Sequence, residues 1–184
     1  MIAHCAQVVH VSAASTRTTY ATVTLTECGR VVYGRWRARV GYAGLSAHHR
    51  EGDGTTPLGT FRIGPVVYGL APDPGLHLRF HRLVCGDWWD EDPLSRSYNL
   101  FRHVTCGRAP PFRGNSEALW LATVAYRLFA VVEYNPGRVR GLGSGMFLHV
   151  DDGGATNGCI ALPEGRLRLL LRRLEPGSTI RVTA

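Results

Sequence analysis

Hydrophobic and polar residues alternate along the first forty positions in the way that half-buried β-strands require. Apolar or β-branched runs at 7–11 and 19–25 are followed by a shorter one at 31–33, after Cys28-Gly29. Such runs favour strands because branched side chains pack well on a pleated surface. Further short apolar runs predict strands at 61–63, 128–134, 145–150 and 179–183. These patterns predict a mainly β protein.

One segment has helical periodicity instead. Leu167, Leu170, Leu171 and Leu174 recur at i, i+3, i+4 and i+7, and most neighbouring arginines lie off that stripe. The spacing predicts an amphipathic helix that begins near Pro163 and ends at Pro176-Gly177, with its leucines in the core rather than in a partner's groove. Strands plus one such helix predict a β-sandwich or partly closed barrel with one packed C-terminal helix.

Two stretches lack regular periodicity. Residues 41–60 are rich in glycine and predict a loop, and residues 85–116 carry many Pro, Gly, Asn and Ser. We interpret 85–116 as a long ordered loop over one face, which is typical of a functional segment or lid. A short helical turn is expected between Glu117 and Tyr126. Without repeats or a linker, residues 1–184 are expected to form a single domain.

Composition and charge bear on the partners of the protein and on its location. Hydrophobic residues make up 45% of the 184, the net charge is +7, and all 21 basic residues are arginine. Because the arginines are scattered, no nucleic-acid partner is expected, although an anionic wall polymer would be attracted. No apolar run is long enough to span a membrane. Met1–Cys5 lacks the charged and apolar regions of a signal peptide. The sequence gives no indication of oligomeric state.

Five cysteines fit an exported protein with two disulfides and one free thiol. Cys5 and Cys28 flank the first two strand-like runs, Cys85 and Cys106 bracket a Trp-rich segment, and Cys159 remains. The alternative is that all five are reduced. Since no CxxC or HxxH spacing occurs, neither a metal nor another cofactor is expected. His48-His49 would point to opposite faces of a strand, so one or both should be exposed.

The strongest chemical signal lies between positions 147 and 160. His149 ends an apolar run (FLHV), and Cys159 follows ten residues later, after glycine-rich residues 152–154 and Gly158. An imidazole can take the proton of a neighbouring thiol and produce a reactive ion pair. We expect the two to meet in a hairpin-like unit, with an oxyanion hole formed by N–H groups near Gly158. The alternative is a buried cysteine that serves as a small core residue.

Three stretches together resemble the L,D-transpeptidase catalytic domain family (YkuD-type). His149 with TNGCI (156–160) resembles its histidine, spacer and Ser/Thr-x-Gly-Cys-Ile/Val signature. EGDGTTPLGTF (51–61) is similar to the family's D-G-x-T-P-x-G-x-F segment. DWWDEDP (87–93) with Tyr98-Asn99 is similar to a segment common in actinobacterial-type members. Asn157 stands where the family usually has histidine, and Ala161 where it often has arginine, which could orient the turn or hold a carboxylate.

The resemblance implies an extracytoplasmic enzyme that modifies peptidoglycan stem peptides. Cys159 would be the nucleophile and His149 its base, with an oxyanion hole at the N–H groups of Asn157, Gly158 and Cys159. Transfer to a diaminopimelate amine would give 3→3 cross-links. The residues expected to contact substrate are Thr156, Tyr98, Asn99 and Trp88. Apart from the resemblance, the cysteine count favours at least one disulfide, with Cys85–Cys106 first and Cys5–Cys28 second.

Other functions stay open from the sequence alone. Hydrolysis of the same acyl-enzyme would make the protein an L,D-carboxypeptidase. A non-catalytic cell-wall-binding β-domain with a degenerate site is the alternative from another class. The acidic residues around Trp88 and Trp89 do not predict a glycosidase, because nothing fixes a separation between two carboxylates. Residues 53–57 lack the ending of a phosphate-binding loop.

Overall fold

The chain is mainly β in a computed structural model that describes residues 5–184. One α-helix, α1, and one 3₁₀ turn, Ala125–Arg127, occur among the described residues. The strands are β1 (Gln7–Ser12), β2 (Tyr20–Glu27), β3 (Arg30–Arg39), β4 (Leu45–Ser46), β5 (Thr56–Pro57), β6 (Gly59–Gly69), β7 (Arg79–Arg82), β8 (Asp87–Asp90), β9 (Leu100–His103), β10 (Glu117–Ala118), β11 (Phe129–Val132), β12 (Phe147–Val150), β13 (Ile160–Leu162) and β14 (Thr179–Thr183). Helix α1 spans Glu164–Arg173.

Eight strands form a closed, barrel-like sheet. Their order is β11-β12-β13-β3-β2-β1-β14-β6, and β6 also pairs with β11, which closes the ring. The eleven-residue β6 reaches both neighbours because its first half pairs with β14 and its second half with β11. Strand β7 adds to β6 in parallel outside the ring. The predicted mainly β architecture with one packed helix is therefore confirmed.

The inside of this sheet holds the main hydrophobic core. Alternate residues of β1 and β2 are buried there, including Val9, Val11, Val23 and Leu25. The same core contains the helical leucine stripe, Leu167, Leu170, Leu171 and Leu174, each fully buried. Burying a leucine contributes about 1.5–3 kcal/mol, so the stripe explains why this segment packs as a helix. The helix ends at Arg173, earlier than the predicted Pro176-Gly177.

Residues 85–116 are not the single long loop that the sequence predicted. They contain β8 and β9, which form a three-stranded antiparallel sheet with β10. A disulfide joins Cys85 to Cys106 at one end of this sheet, and another joins Cys5 to Cys28. A second hydrophobic cluster holds this sheet against the barrel; its members are Leu83, Trp89, Leu119, Tyr126, Phe129 and Phe147.

Three other segments also differ from the prediction. Residues 41–60 contain the short parallel pair β4–β5 rather than loop alone. The predicted strand at 61–63 is the middle of the much longer β6. Within 117–126, β10 precedes a 3₁₀ turn that starts only at Ala125. In each case tertiary pairing, which local composition does not encode, sets the structure.

Two sequence predictions concern membrane passage and export. Among the described residues, no helix has the length and hydropathy needed to cross a membrane. The prediction about a signal peptide at Met1–Cys5 falls mostly on residues 1–4, which lie outside the described residues.

Candidate active site

The histidine and the cysteine of the sequence motif lie on two neighbouring strands of the barrel. Strands β12 and β13 pair in parallel, with His149 opposite Ala161, so the predicted hairpin-like unit is wrong. Residues 151–159 instead cross over to bring β13 alongside β12. Because side chains alternate between faces, Cys159, two residues before Ala161, is expected on the His149 face. Phe147 and Cys159 indeed belong to the second hydrophobic cluster, outside the barrel, whereas Leu148 and Ile160 belong to the barrel core.

Cys159 has the free thiol among the described residues. Its Sγ lies 3.2 Å from the Phe147 backbone nitrogen, which donates to it, and 3.2 Å from the Gly145 carbonyl oxygen, to which the thiol donates. No hydrogen bond joins Cys159 to His149 within residues 5–184. The resting thiol is thus held by backbone on the strand that carries His149.

His149 is buried, with 7% of its surface exposed. Its Nδ1 lies 2.8 Å from the carbonyl oxygen of Val150. Since a carbonyl can only accept, Nδ1 carries the proton, and the neutral ring keeps a lone pair on Nε2. The edge of the Tyr126 ring packs against the imidazole, with centroids 6.1 Å apart. The backbone therefore fixes the tautomer that a general base needs.

Burial keeps both groups uncharged in the resting chain. It raises the pKa of the Cys159 thiol far above its usual value, and the negative charges of Glu117 and Glu91 raise it further. Burial also lowers the pKa of His149, although the Val150 carbonyl opposes that shift. The expected thiolate–imidazolium ion pair is therefore not the resting state that these surroundings favour. Proton transfer from thiol to imidazole has to accompany attack on a substrate.

The turn before Cys159 is fixed by two threonines. The backbone of Thr156 pairs with residues just after β3: its N–H donates to the Val40 carbonyl, and its carbonyl accepts from the Tyr42 N–H. The Thr156 hydroxyl donates to the Cys159 carbonyl at 2.6 Å. Thr56, fully buried in the GDGTTP segment, donates to the Gly158 carbonyl at 2.7 Å and accepts from the Gly41 N–H. The two motifs that carried the resemblance are thus in direct contact.

Gly158 has a positive φ of 132° and a close neighbour. A Cβ built there would lie 2.8 Å from the Thr55 carbonyl oxygen, so no other residue fits without a shift of backbone. Its N–H donates to the Thr156 hydroxyl at 3.2 Å. Among the described residues, the N–H groups of Asn157 and Cys159 have no acceptor. Of the three predicted oxyanion donors, these two are the ones free to bind an oxyanion.

Two cavities meet at the nucleophile, one on each side. The first, of about 430 Å³, we call the base-side cavity; its walls include His149, Tyr126, Leu121, Ala125, Asp152 and Thr156. The second, of about 410 Å³, we call the carboxyl-side cavity; its walls include Glu51, Glu91, His49, Ser144, Gly145 and Met146. Glu117, Asn157 and Cys159 line both. A substrate could therefore approach Cys159 from either side.

Thr156 is the one residue of the predicted substrate-contacting set that lies in these walls. Tyr98 is buried, and its hydroxyl donates to Glu51, which does line the carboxyl-side cavity. Asn99 accepts from the Trp89 indole and the Gly145 N–H, a structural role. Trp88 packs against Phe112 and Trp120 instead. The structure does not bring Tyr98, Asn99 or Trp88 to Cys159.

Several residues around Cys159 were missed by the sequence analysis. Glu51 accepts from the hydroxyls of Tyr98 and Ser144. His49 is buried with its Nδ1 3.0 Å from both the Thr55 hydroxyl and Asp53, and burial lowers its pKa; His48 beside it is exposed. Glu91 directly follows β8, and Glu117 is the first residue of β10. Only Glu51 had a local signal, because it opens the segment EGDGTTPLGTF (51–61).

Ala161, where an arginine is usual in the resembled family, lies buried on β13 opposite Arg39 of β3. The Arg39 side chain donates through Nε to the Gly154 carbonyl at 3.1 Å, within the crossover that links His149 to Cys159. Its guanidinium also stacks on Tyr20, 4.0 Å from the ring centroid. A guanidinium from the neighbouring strand therefore supports the crossover.

Across residues 5–184, no group of three or more His, Cys, Asp or Glu side chains is placed to hold a metal ion. Glu51 and Glu117, near Cys159, accept hydrogen bonds from hydroxyl groups of Tyr98, Ser144 and Tyr126.

Comparison with known proteins identifies a family. A model described as "L,D-transpeptidase catalytic domain" (YkuD) matches residues 6–182, nearly the whole chain. No curated protein sequence matches significantly. Solved structures resemble it at low identity: L,D-transpeptidase 1 of Mycobacterium tuberculosis (15% identity, TM-score 0.45) and an L,D-transpeptidase of Mycobacterium smegmatis (14%, 0.47). Another is the helical cell shape determining protein Pgp2 of Campylobacter jejuni (14%, 0.46).

The shares covered in these structural alignments are uneven. Each covers 98% of this chain but only 63%, 59% and 48%, respectively, of the solved chain. This chain thus spans roughly half to three-fifths of the length of those proteins.

Proposed function

The chain belongs to the L,D-transpeptidase catalytic domain (YkuD) family, and from this premise we propose that it is a cysteine-dependent L,D-transpeptidase. Its substrates would be peptidoglycan stem peptides, and residues 1–184 would act as one catalytic domain. One observation carries the proposal: Cys159 and His149 line one cavity, and Val150 holds the imidazole in the tautomer that can accept the thiol proton. We infer an extracytoplasmic site of action, where peptidoglycan is found.

The proposed acylation begins from the neutral pair. As Sγ attacks the carbonyl carbon of an L-centred residue of the donor stem, its proton passes to His149 Nε2. The N–H groups of Asn157 and Cys159 stabilise the tetrahedral oxyanion. The imidazolium then protonates the departing nitrogen, the C–N bond breaks, and a terminal D-amino acid leaves. A thioester on Cys159 and a neutral His149 remain.

In the second step an amine replaces the thiol. We propose the side-chain amine of diaminopimelate on a neighbouring stem as the acceptor, which gives a 3→3 cross-link. The donor product must leave before the acceptor reacts, so the order is ping-pong. Two cavities that meet at Cys159 support this reading, because donor and acceptor have to reach the same thioester. We also propose that the chain is an actinobacterial-type member of the family, because residues 87–93 with Tyr98-Asn99 are similar to a segment common in such members.

Two alternatives make different products from the same starting material. Water as acceptor would make the chain an L,D-carboxypeptidase. A wall-binding β-domain would leave the substrate unchanged, but such a domain has no need of a half-buried free thiol and an oriented imidazole in the walls of one cavity. We favour transpeptidation because the carboxyl-side cavity is lined by acidic groups, which suit a cationic amine better than a water molecule alone.

The test is mass spectrometry of products made by the purified chain from disaccharide-tetrapeptide. We expect a cross-linked dimer, a free D-amino acid and a transient acyl-enzyme, all absent with Cys159→Ala. Loss of the nucleophile should lower turnover by several orders of magnitude. A covalent adduct with an acylating β-lactam should also be lost in Cys159→Ala.

The exposed His77→Ala variant is the control for handling and folding. Tripeptide alone at every substrate concentration would identify a carboxypeptidase. Full activity in folded Cys159→Ala would exclude the cysteine mechanism, and an unchanged substrate with the wild-type chain would favour the wall-binding domain.

A further inference from the structure

The carboxyl-side cavity has an unbalanced lining. Three glutamates, Glu51, Glu91 and Glu117, contribute to its walls, yet none of the chain's 21 arginines does among the described residues. Among the described residues, His49 is the one basic side chain in these walls, and burial keeps it neutral by lowering its pKa. This acidic lining occurs in a protein whose net charge is +7. The walls next to Cys159 therefore present three carboxyl groups and, among the described residues, no arginine to pair with one that ionises.

Glu117 differs from the other two glutamates in its position. It lines both cavities, together with Asn157 and Cys159, and therefore lies where they meet. It accepts a hydrogen bond from the Tyr126 hydroxyl, and the Tyr126 ring packs against His149. Glu51, in contrast, is tied by the hydroxyls of Tyr98 and Ser144 at the far wall. One tyrosine thus separates the carboxyl of Glu117 from the imidazole.

Three groups from other elements lie around Glu117. Glu91 follows β8, Tyr126 lies in the 3₁₀ turn, and Cys159 precedes β13; Glu51 lines the same cavity. Burial raises the pKa of Glu117, opposed by the Tyr126 hydrogen bond. Burial and the charge of Glu117 likewise raise the pKa of Glu91. A buried carboxyl with raised pKa is a better base toward an ammonium group than an ordinary surface carboxylate.

The proposed reaction needs such a base. After acylation His149 is neutral and can accept one proton. An alkylamine reaches the thioester as R–NH₃⁺, and forming the amide removes two protons from its nitrogen. One of them passes through His149 to the departing sulfur, which leaves as the thiol. The other has no acceptor in a Cys–His pair, so the balance leaves one surplus proton for each turnover.

We propose that Glu117 is a second catalytic base, which removes the first proton from the acceptor ammonium in the carboxyl-side cavity while His149 serves the sulfur. The inference rests on the proposed function. Glu117 pairs with the incoming ammonium, takes one proton from its nitrogen, and leaves a neutral amine whose lone pair attacks the thioester carbon. The C–S bond breaks, His149 delivers the second proton to sulfur, and Glu117 later releases its proton to water.

The experiment separates acylation from amine transfer in wild type and Glu117→Gln. Acylation is followed by the mass of the enzyme with an acylating β-lactam. Transfer is followed with the tetrapeptide donor and either a diaminopimelate-containing acceptor or hydroxylamine, which is largely unprotonated at neutral pH. We expect acylation within about threefold of wild type, but transfer to the alkylamine reduced by about 10²–10⁴-fold, the usual contribution of a general base. Hydroxylamine should restore most of the lost transfer.

Two further measurements guard against misfolding. Glu117→Asp keeps a carboxyl and should retain more alkylamine transfer than Glu117→Gln, and Glu175→Gln, on an exposed side chain, should behave as wild type. In the wild-type chain, transfer to the alkylamine should fall with decreasing pH over a range in which transfer to hydroxylamine does not. Equal loss with both acceptors, or parallel loss of acylation, would mean that Glu117 is only structural.

The two proposals fail in distinguishable ways. If the wild-type chain forms no acyl-enzyme, the proposed function is overturned and this inference with it. If the wild type transfers to the alkylamine and folded Glu117→Gln does so equally well, only the role of Glu117 is overturned.

Discussion

The two cavities that meet at Cys159 differ in chemistry although they share part of a wall. The base-side cavity combines apolar residues such as Leu121 and Ala125 with Asp152 and Thr156 around one oriented imidazole. The carboxyl-side cavity is lined by Glu51, Glu91 and polar neighbours. Burial lowers the pKa of His149 and keeps it able to accept a proton, although Asp152 opposes that shift, whereas the carboxyl groups of the other cavity favour a cation. The difference teaches that one thiol can serve two half-reactions with opposite proton demands, each with its own surroundings.

Removing the base is the strongest way to break this division. His149→Ala should lower the acylation rate by about 10²–10⁴-fold, because the neutral thiol then has no acceptor for its proton. The protein should still fold, since Val150 loses only one hydrogen-bond partner. Acylation rates measured by mass spectrometry, with His77→Ala as the control, check this expectation. Near-normal acylation would mean that another group activates Cys159.

The same variant pair sharpens the pH dependence. Because burial lowers the pKa of His149 from its usual 6.5, the imidazole stays neutral through neutral pH and is protonated only below that value. Protonated imidazole cannot accept the thiol proton, so acylation should decline only as the pH falls below about 6.5. This acid limb should be absent from whatever slow acylation remains in His149→Ala. A decline that begins above neutral pH would contradict the inferred direction of the shift.

A smaller effect is expected from loosening the turn that both cavities share. Thr56→Val keeps the side-chain shape but deprives the Gly158 carbonyl and the Gly41 N–H of their partner. We expect a loss of about 1–3 kcal/mol in the free energy of unfolding, the cost of leaving buried groups unpaired. Both half-reactions should slow, by up to about 10²-fold if Cys159 moves by roughly 1 Å.

Thr22→Val, on the exposed side of β2, is the matched control. Denaturant unfolding measures stability, and the two half-reactions are followed separately. Slowing of acylation alone would show that Thr56 supports the base-side cavity rather than the shared wall.

How much of this the sequence could predict depends on whether the signal is local. Strands β1, β2 and β14 and the leucine stripe of α1 follow from periodicity, because each element buries one face. The segment of β8 has no such periodicity. Asp87 is buried beside tryptophans, where it accepts hydrogen bonds from His81 and His103, so polar residues do not mark the exposed face. The local motif likewise predicted that Cys159 and His149 come together, but not that they do so through parallel strands.

The acidic wall lay beyond sequence reasoning for a different reason. Glu91 and Glu117 are separated from Cys159 by dozens of residues and reach it only because β8 and β10 form a sheet packed on the barrel. No spacing along the chain encodes that contact. The aromatic ring of Trp88 favours a substrate contact in the sequence, but alternation along β8 turns it away from Trp89 and toward Phe112 and Trp120.

The smallest expected effect concerns the crossover beside the base-side cavity. Arg37 and Arg39 both stack on Tyr20, with guanidinium carbons 3.8 and 4.0 Å from the ring centroid, but the bond to the Gly154 carbonyl is made by Arg39. Arg39→Met should therefore cost about 0.5–1.5 kcal/mol through that hydrogen bond and slow acylation a few-fold, whereas Arg37→Met should leave acylation unchanged. Transfer to hydroxylamine from a preformed acyl-enzyme should be affected less than acylation, because the crossover carries Asp152 and Thr156 of the base-side cavity and none of the three glutamates.

Equal effects of the two arginine variants would assign the contribution to stacking on Tyr20. Equal slowing of both half-reactions by Arg39→Met would mean that the crossover positions Cys159 itself, and the two sides could then not be tuned separately from this loop.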